Sequence, residues 1–79
     1  MILMTLYEFS VLTDHQKAPL VWAGQFVAYK EENGFAIVLY KVYDFYVEAY
    51  YDNESNEIIR FHPFSPKNLL ELHFKVSLN

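Results

Sequence analysis

Between Gln25 and His62 the chain falls into four apolar or alternating blocks, each closed by a polar or turn-forming pair. The first two blocks, Gln25 to Glu32 and Phe35 to Val42, flank Asn33-Gly34. An Asn-Gly pair between apolar runs predicts a two-residue hairpin, because both central residues of a type I′ turn need φ > 0. Phe45 to Tyr51 follows, rich in aromatic and β-branched residues. The polar run Asp52-Asn53-Glu54-Ser55-Asn56 then leads into Glu57 to His62. This pattern predicts a four-stranded antiparallel meander.

The ends of the chain predict helices. Thr13 is a good N-cap for a helix through Asp14 to Ala23, with Gly24 just beyond the C-cap. Pro19 sits badly inside it, since it removes a backbone hydrogen bond and crowds the preceding turn. Ser65-Pro66 is a second start signal, Ser as N-cap and Pro at the first helical position. Leu69, Leu70, His73 and Phe74 then share one helical face. The run Leu70 to Leu78 also alternates with period 2, the pattern of a strand, and both readings stay open. The favoured reading is a short helix from Pro66 to about Phe74. The 79 residues form one small domain. The expected fold is α+β: a two-layer arrangement in which a four-stranded antiparallel meander is flanked by an N-terminal and a C-terminal short helix.

Turn length fixes which residues share a face. With Asn33-Gly34 and Tyr43-Asp44 as two-residue loops, Tyr29 faces Val38, Val27 faces Tyr40, Phe26 faces Lys41, and Leu39 faces Glu48. An odd loop before the last strand sets Ile59 opposite Tyr51, Phe61 opposite Ala49, Arg60 opposite Tyr50 and His62 opposite Glu48. An even loop would bury Arg60 among apolar residues, which Arg avoids. Face one then carries Val27, Tyr29, Ala36, Val38, Tyr40, Val42, Phe45, Val47, Ala49, Tyr51, Ile59 and Phe61. It is expected to be the core, covered by Val21, Trp22, Leu69 and Phe74. Val38→Asp is expected to unfold the domain. Face two carries Phe26, Ala28, Lys30, Ile37, Leu39, Lys41, Tyr46, Glu48, Tyr50, Arg60 and His62. Its apolar centre and mixed surround suggest an exposed contact surface, on which Leu39→Glu with Tyr50→Ala would leave the fold intact.

Composition narrows the function classes. The chain is 53% hydrophobic with 7 Tyr, 7 Phe and 1 Trp, has no Cys, and carries a net charge of -4. No disulfide framework or thiolate metal site is available. The acidic balance argues against nucleic acid or an anionic membrane as partner. No stretch reaches the roughly 18 apolar residues of a membrane span. Met1 to Leu6 lacks the basic region and cleavage site of a signal peptide, so a cytoplasmic location is expected.

His15, His62 and His73 are too scattered to assemble a metal site. Asp52, Glu54, Asn56 and Glu57 have the oxygen density of a cation loop, but position six is Glu57 where a Gly is needed. Glu48, His62, Tyr46 and Tyr50 could form an acid-base cluster. It comes without a nucleophile, an oxyanion donor set or a second placed carboxylate. Tyr40, Tyr43, Tyr46, Tyr50 and Tyr51 resemble a base-stacking platform, yet the cations such platforms need are few. No catalytic residue, metal or cofactor is therefore assigned.

Several segments do resemble a family. Leu6-Tyr7-Glu8-Phe9, Val21-Trp22-Ala23-Gly24-Gln25-Phe26, Leu39-Tyr40, Phe45 to Tyr51 and Asn56-Glu57-Ile58 are similar to a group of short uncharacterised bacterial proteins. These share an L-Y-x-F start, a V-W-x-G or V-W-x-x-G step and an F-Y-V-E-x-x-Y strand. The resemblance runs from Thr5 to Leu78, and Pro19 departs from it. It implies the fold, a C-terminal helix and a bacterial cytoplasmic setting, and it implies no activity.

The resulting expectation is a non-catalytic protein-interaction module, binding a protein partner or itself, with a homodimer as one form. Its candidate interface is Phe26, Ile37, Leu39, Lys41, Tyr46, Glu48, Tyr50, Arg60 and His62. Two alternatives are a small acidic inhibitor that imitates nucleic acid and a small-ligand binder using Glu48 and His62.

Overall fold

Two reciprocal hydrogen-bond pairs start the chain. In the computed structural model, which describes residues 4–65, helix α1 spans Leu6–Ser10 and helix α2 spans Asp14–Trp22. The Thr5 hydroxyl accepts from the Glu8 N–H at 3.1 Å, and the Glu8 carboxylate accepts from the Thr5 N–H at 2.9 Å. Thr13 and Gln16 repeat the arrangement at 3.3 and 3.0 Å. Each capping box satisfies two of the donors that a helix N-terminus leaves open. The sequence reading placed α2 correctly and missed α1, although Thr5-x-x-Glu8 is a capping-box signature.

Pro19 does not split α2. The helix runs through it, and the Pro19 carbonyl still accepts from the Ala23 N–H at 3.1 Å. Pro19 and His15 are both exposed. Water can therefore take up the carbonyl that Pro19 leaves without a helical donor.

Gly24 follows the C-cap Ala23, but a left-handed conformation is not what requires it, since its φ is not positive. A Cβ there would lie 2.6 Å from the Lys41 carbonyl oxygen and 3.1 Å from the Val21 carbonyl oxygen. Gly24 lets the chain leave α2 pressed against the sheet.

The sheet has the order β1-β2-β3-β4, all antiparallel: β1 Gln25–Glu32, β2 Phe35–Val42, β3 Phe45–Asp52 and β4 Ile58–Phe64. Asn33 and Gly34 both have positive φ, 54° and 85°, as a type I′ turn demands. Tyr43 takes φ 55°, an uncommon place for a bulky residue, and the Tyr43-Asp44 loop still closes Val42 against Phe45. Asn56, at φ 61°, turns the last loop, and its N–H donates to the Asp52 carbonyl at 2.7 Å.

The predicted pairs Tyr29–Val38, Leu39–Glu48, Tyr50–Arg60, Ala49–Phe61 and Glu48–His62 are all present. Two bulges correct the remainder. In β1 the register shifts between Phe26 and Ala28, so Phe26 faces Tyr40 and Val27 is the extra residue. Phe26 therefore belongs to face one, not face two. In β4 the shift leaves Ile58, not Ile59, opposite Tyr51. Strand β4 also continues past His62 through Pro63. Pro is compatible with that position because β4 is an edge strand.

Both helices pack on face one. Phe9 and Val21 are fully buried there with Val42, Phe45, Val47, Ala49 and Phe61, and the Phe9 and Phe45 rings lie 5.4 Å apart. Trp22 packs on the same face, its indole 5.7 Å from Tyr40, 6.3 Å from Tyr51 and 5.8 Å from Phe61. The fold is thus α+β, two short N-terminal helices followed by a four-stranded antiparallel meander. The expected C-terminal helix, its strand alternative over Leu70 to Leu78, and the packing of Leu69 and Phe74 lie outside the described residues.

Candidate functional site

The sheet's two faces differ from the expectation in opposite ways. Face two was to be open, yet its centre is closed: Ile37 is 2% exposed, Leu39 0% and Glu48 2%. Ile37, Leu39 and Phe64 form a second hydrophobic cluster, with Ala28, Phe35, Tyr46 and Tyr50 packed around it. Phe64, outside the predicted strand, is one of its members. Pro63 just before it masks the strand signal.

The candidate interface accordingly divides. Ile37, Leu39 and Glu48 are buried, Tyr46, Tyr50 and His62 are half-buried, and Lys41 and Arg60 are exposed. Phe26 is exposed on the other face. The Arg60 guanidinium lies 4.5 Å over the Tyr50 ring, a cation–π contact across the strand pair. The Tyr50 hydroxyl donates to the Glu48 carboxylate at 3.3 Å, and the His62 ring stacks on Phe64 at 5.9 Å. Burial is the main cause pushing the Tyr50 hydroxyl above its ordinary pKa, with Arg60 opposing it. Glu48 and His62 are neighbours as expected, Glu48 closed off from solvent and His62 half-buried.

Face one is closed only where the helices lie. Beyond them Ala36, Val38, Tyr40 and Tyr51 are half-buried, while Trp22, Phe26 and Tyr29 are 45%, 59% and 52% exposed. Val38, expected in the core, sits on this open half. The rings adjoin: Phe26 meets Tyr40 edge-on at 6.5 Å, and Tyr40 meets Trp22. Tyr29 is opposite Val38 and donates its hydroxyl proton to Glu31. The result is an aromatic surface running from the outer strand β1 to the exposed side of Trp22. Sequence reasoning had its members on the correct face, Phe26 apart, and assigned them to the core. The signal available was the length of α2, since nine residues at 1.5 Å per residue cover less than the span of the sheet.

Tyr51 titrates unusually. Burial first, then the neighbouring Tyr40, push its hydroxyl up to about 12. A raised folded-state pKa means that the neutral phenol is favoured by folding. Its contribution is complete below the ordinary value of 10.0 and disappears as pH rises through about 12. We expect the melting temperature to fall with pH across that window, and Tyr51→Phe to flatten the fall. An unchanged pH profile in Tyr51→Phe would show that Tyr51 is not the group responsible.

Shallow clefts lie among the described residues. One of about 440 Å³ lies between the C-terminal end of α2 and the β2–β3 turn, lined by Leu20, Ala23, Gly24, Gln25, Lys41, Val42 and Tyr43. Lys41 is the one charged residue in that lining. Another, about 220 Å³, is lined by Asp14, His15, Ala18, Ile58 and Phe61. Neither contains Glu48 or His62. Among the described residues no group of three His, Cys, Asp or Glu is placed to hold a metal ion, and no helix is long and apolar enough to cross a membrane.

Comparison with protein-family models, with curated proteins and with solved structures finds no match to this chain.

Proposed function

We propose that this protein is a non-catalytic interaction module whose contact surface is the open half of face one, with a second copy of the chain as its occupant. The observation that carries this reading is the adjoining exposure of Trp22, Phe26 and Tyr29 on one face. Aromatic side chains dominate the energetic centres of protein interfaces because they bury much area for little lost rotamer entropy. Contiguous apolar exposure on that scale marks a contact surface more often than a random one.

Self-association is favoured by where the patch ends. Strand β1 is an edge of the sheet, and its outward residues include Phe26, Val27 and Tyr29. An edge offers unpaired N–H and C=O groups to another strand. Two β1 edges brought together about a two-fold axis would join the sheets and set both aromatic patches side by side, an isologous contact. The charges of Lys30, Glu31 and Glu32 lie at one end of the strand and would select the register.

The test is the mass in solution by light scattering over a concentration series. The pair Phe26→Lys and Tyr29→Lys should leave the fold intact, since both side chains are more than half exposed. A dimer in the wild type that becomes a monomer in the double variant is the expected result. A wild type that is monomeric throughout overturns the homodimer. Capture of the same proteins by wild type and variant would then overturn the module itself.

A further inference from the structure

The outer strands β1 and β4 are unequal as hydrogen-bonding edges. Glu32 and Phe35 close the Asn33-Gly34 turn and bond to each other across it. Bonded and non-bonded pairs alternate along an antiparallel ladder. Lys30 and Ala28 therefore bond inward to Ile37 and Leu39, and Tyr29 and Glu31 turn their N–H and C=O groups outward. Carried across the sheet, the same alternation bonds Tyr46, Glu48 and Tyr50 to Phe64, His62 and Arg60. The outward residues of β4 are then Phe61 and Pro63, and Pro63 has no N–H to offer. A bulge at Ile59 interrupts that edge on its other side. The β1 edge runs unbroken from Ala28 to Glu32, and no residue of β1 is buried.

We propose that β1 pairs antiparallel with β1 of a second copy, with Lys30 opposite its own copy at the two-fold axis and Tyr29 of each chain bonded to Glu31 of the other. This rests on the homodimer reading above and fixes its register. A two-fold axis normal to the sheet keeps matching faces together, so one residue must sit opposite its own copy. Centred on Lys30, every outward group of Tyr29 and Glu31 finds a partner. Centred on Tyr29, Glu31 meets the bulged residue Val27 of the other chain. Centred on Glu31, Tyr29 runs out against the Asn33 turn, and two carboxylates stand opposite each other. Pairing through β4 meets Pro63, so growth into an open chain of copies is disfavoured against the closed dimer.

The side chains agree with this register. On face one, Tyr29 stands opposite Glu31 of the other chain, and its hydroxyl already donates to the Glu31 carboxylate of its own. The two Tyr29 rings become diagonal neighbours, within reach of each other. This continues the aromatic patch of one copy into that of the next. On face two, the Lys30 ammonium lies 3.6 Å from Glu32 of its own chain. Glu32 of the other chain lies on the diagonal, so each cation at the axis is flanked by carboxylates.

The chain has no Cys, so single cysteines report the register directly. The full-length variants Ala28→Cys, Tyr29→Cys, Lys30→Cys, Glu31→Cys and Glu32→Cys are each incubated with oxidised glutathione and run on a non-reducing gel. A non-bonded pair sets opposite Cα atoms about 4.5 Å apart, within the span that a disulfide bridges. Lys30→Cys is expected to give several-fold more linked dimer than any other variant. A mixture of Ala28→Cys with Glu32→Cys should form the mixed disulfide, identified by mass, which keeps the test valid if Lys30→Cys fails to fold. Strongest linkage at another position of β1 overturns the register. No linkage in Lys30→Cys or in the mixture, with a wild type that light scattering shows to be dimeric, overturns the β1 pairing and leaves the homodimer standing. A wild type that is monomeric throughout overturns both.

Discussion

Leu39→Glu is expected to abolish the cooperative unfolding transition, whereas Val38→Asp, one residue away, is expected to keep it. Leu39 is completely buried beside Ile37 and opposite Glu48, itself buried. Truncating a leucine in such a site costs about 2–5 kcal/mol before any charge is considered. A new carboxylate there adds an unpaired charge, and a like charge directly across the strand pair adds repulsion. A domain of 79 residues has a total stability of roughly 4–12 kcal/mol, so the combined cost is of the same size as the whole of it. Val38 points to the opposite, half-open face, where a carboxylate keeps part of its water. The measurement is a urea titration followed by circular dichroism. A cooperative melt for Leu39→Glu near the wild-type midpoint would show that the centre of face two is accessible to solvent. Loss of the transition in Val38→Asp would return Val38 to the core.

Phe9→Ala is expected to cost about 3–5 kcal/mol, the range for removing a buried phenylalanine. Phe9 is the one fully buried residue of α1. Its ring rests on Phe45 at 5.4 Å, and the Lys17 ammonium lies over it at 5.6 Å. A helix of five residues has no stability of its own, because nucleation is unfavourable and few hydrogen bonds repay it. Without the Phe9 anchor, α1 should detach, and amide exchange at Phe9 and Leu12, whose N–H groups bond to the Thr5 and Phe9 carbonyls, should accelerate. Thr5→Ala removes only the cap and should cost about 0.5–2 kcal/mol. If Phe9→Ala costs no more than Thr5→Ala, α1 is not held by its buried ring.

The register of the sheet was readable because two local features constrain it. Asn33-Gly34 imposes a two-residue turn. Arg60 cannot share a face with Val38 and Val47 without burying its charge. From these follow the pairs of Tyr50 with Arg60 and of Glu48 with His62. The α2 boundaries were readable for the same kind of reason, since Thr13 and Gln16 cap their own backbone. Helix α1 was equally local in cause, through Thr5 and Glu8, but its five residues carry too little periodicity to stand out beside the apolar run that precedes it.

The bulges at Val27 and Ile59 were not readable. Neither position carries a glycine or proline to mark it. The bulge in β1 adjoins the point where Gly24 packs against the Lys41 carbonyl, a contact between segments far apart in sequence. It moved Phe26 to the opposite face and so altered the candidate interface.

The chain by itself determined the strands, their antiparallel order, their pairing near the turns and helix α2, because backbone hydrogen bonding, turn chemistry and capping act over a few residues. Only the tertiary structure decided which face is covered and how far. Period-2 alternation separates two faces without saying what lies above either one. Face one, the more uniformly apolar, is half open because α2 is only nine residues long. Face two, with Lys30, Lys41, Glu48, Arg60 and His62 among its residues, has a dry centre at Ile37 and Leu39. Burial depends on the whole set of neighbours in space, and no local pattern carries that set.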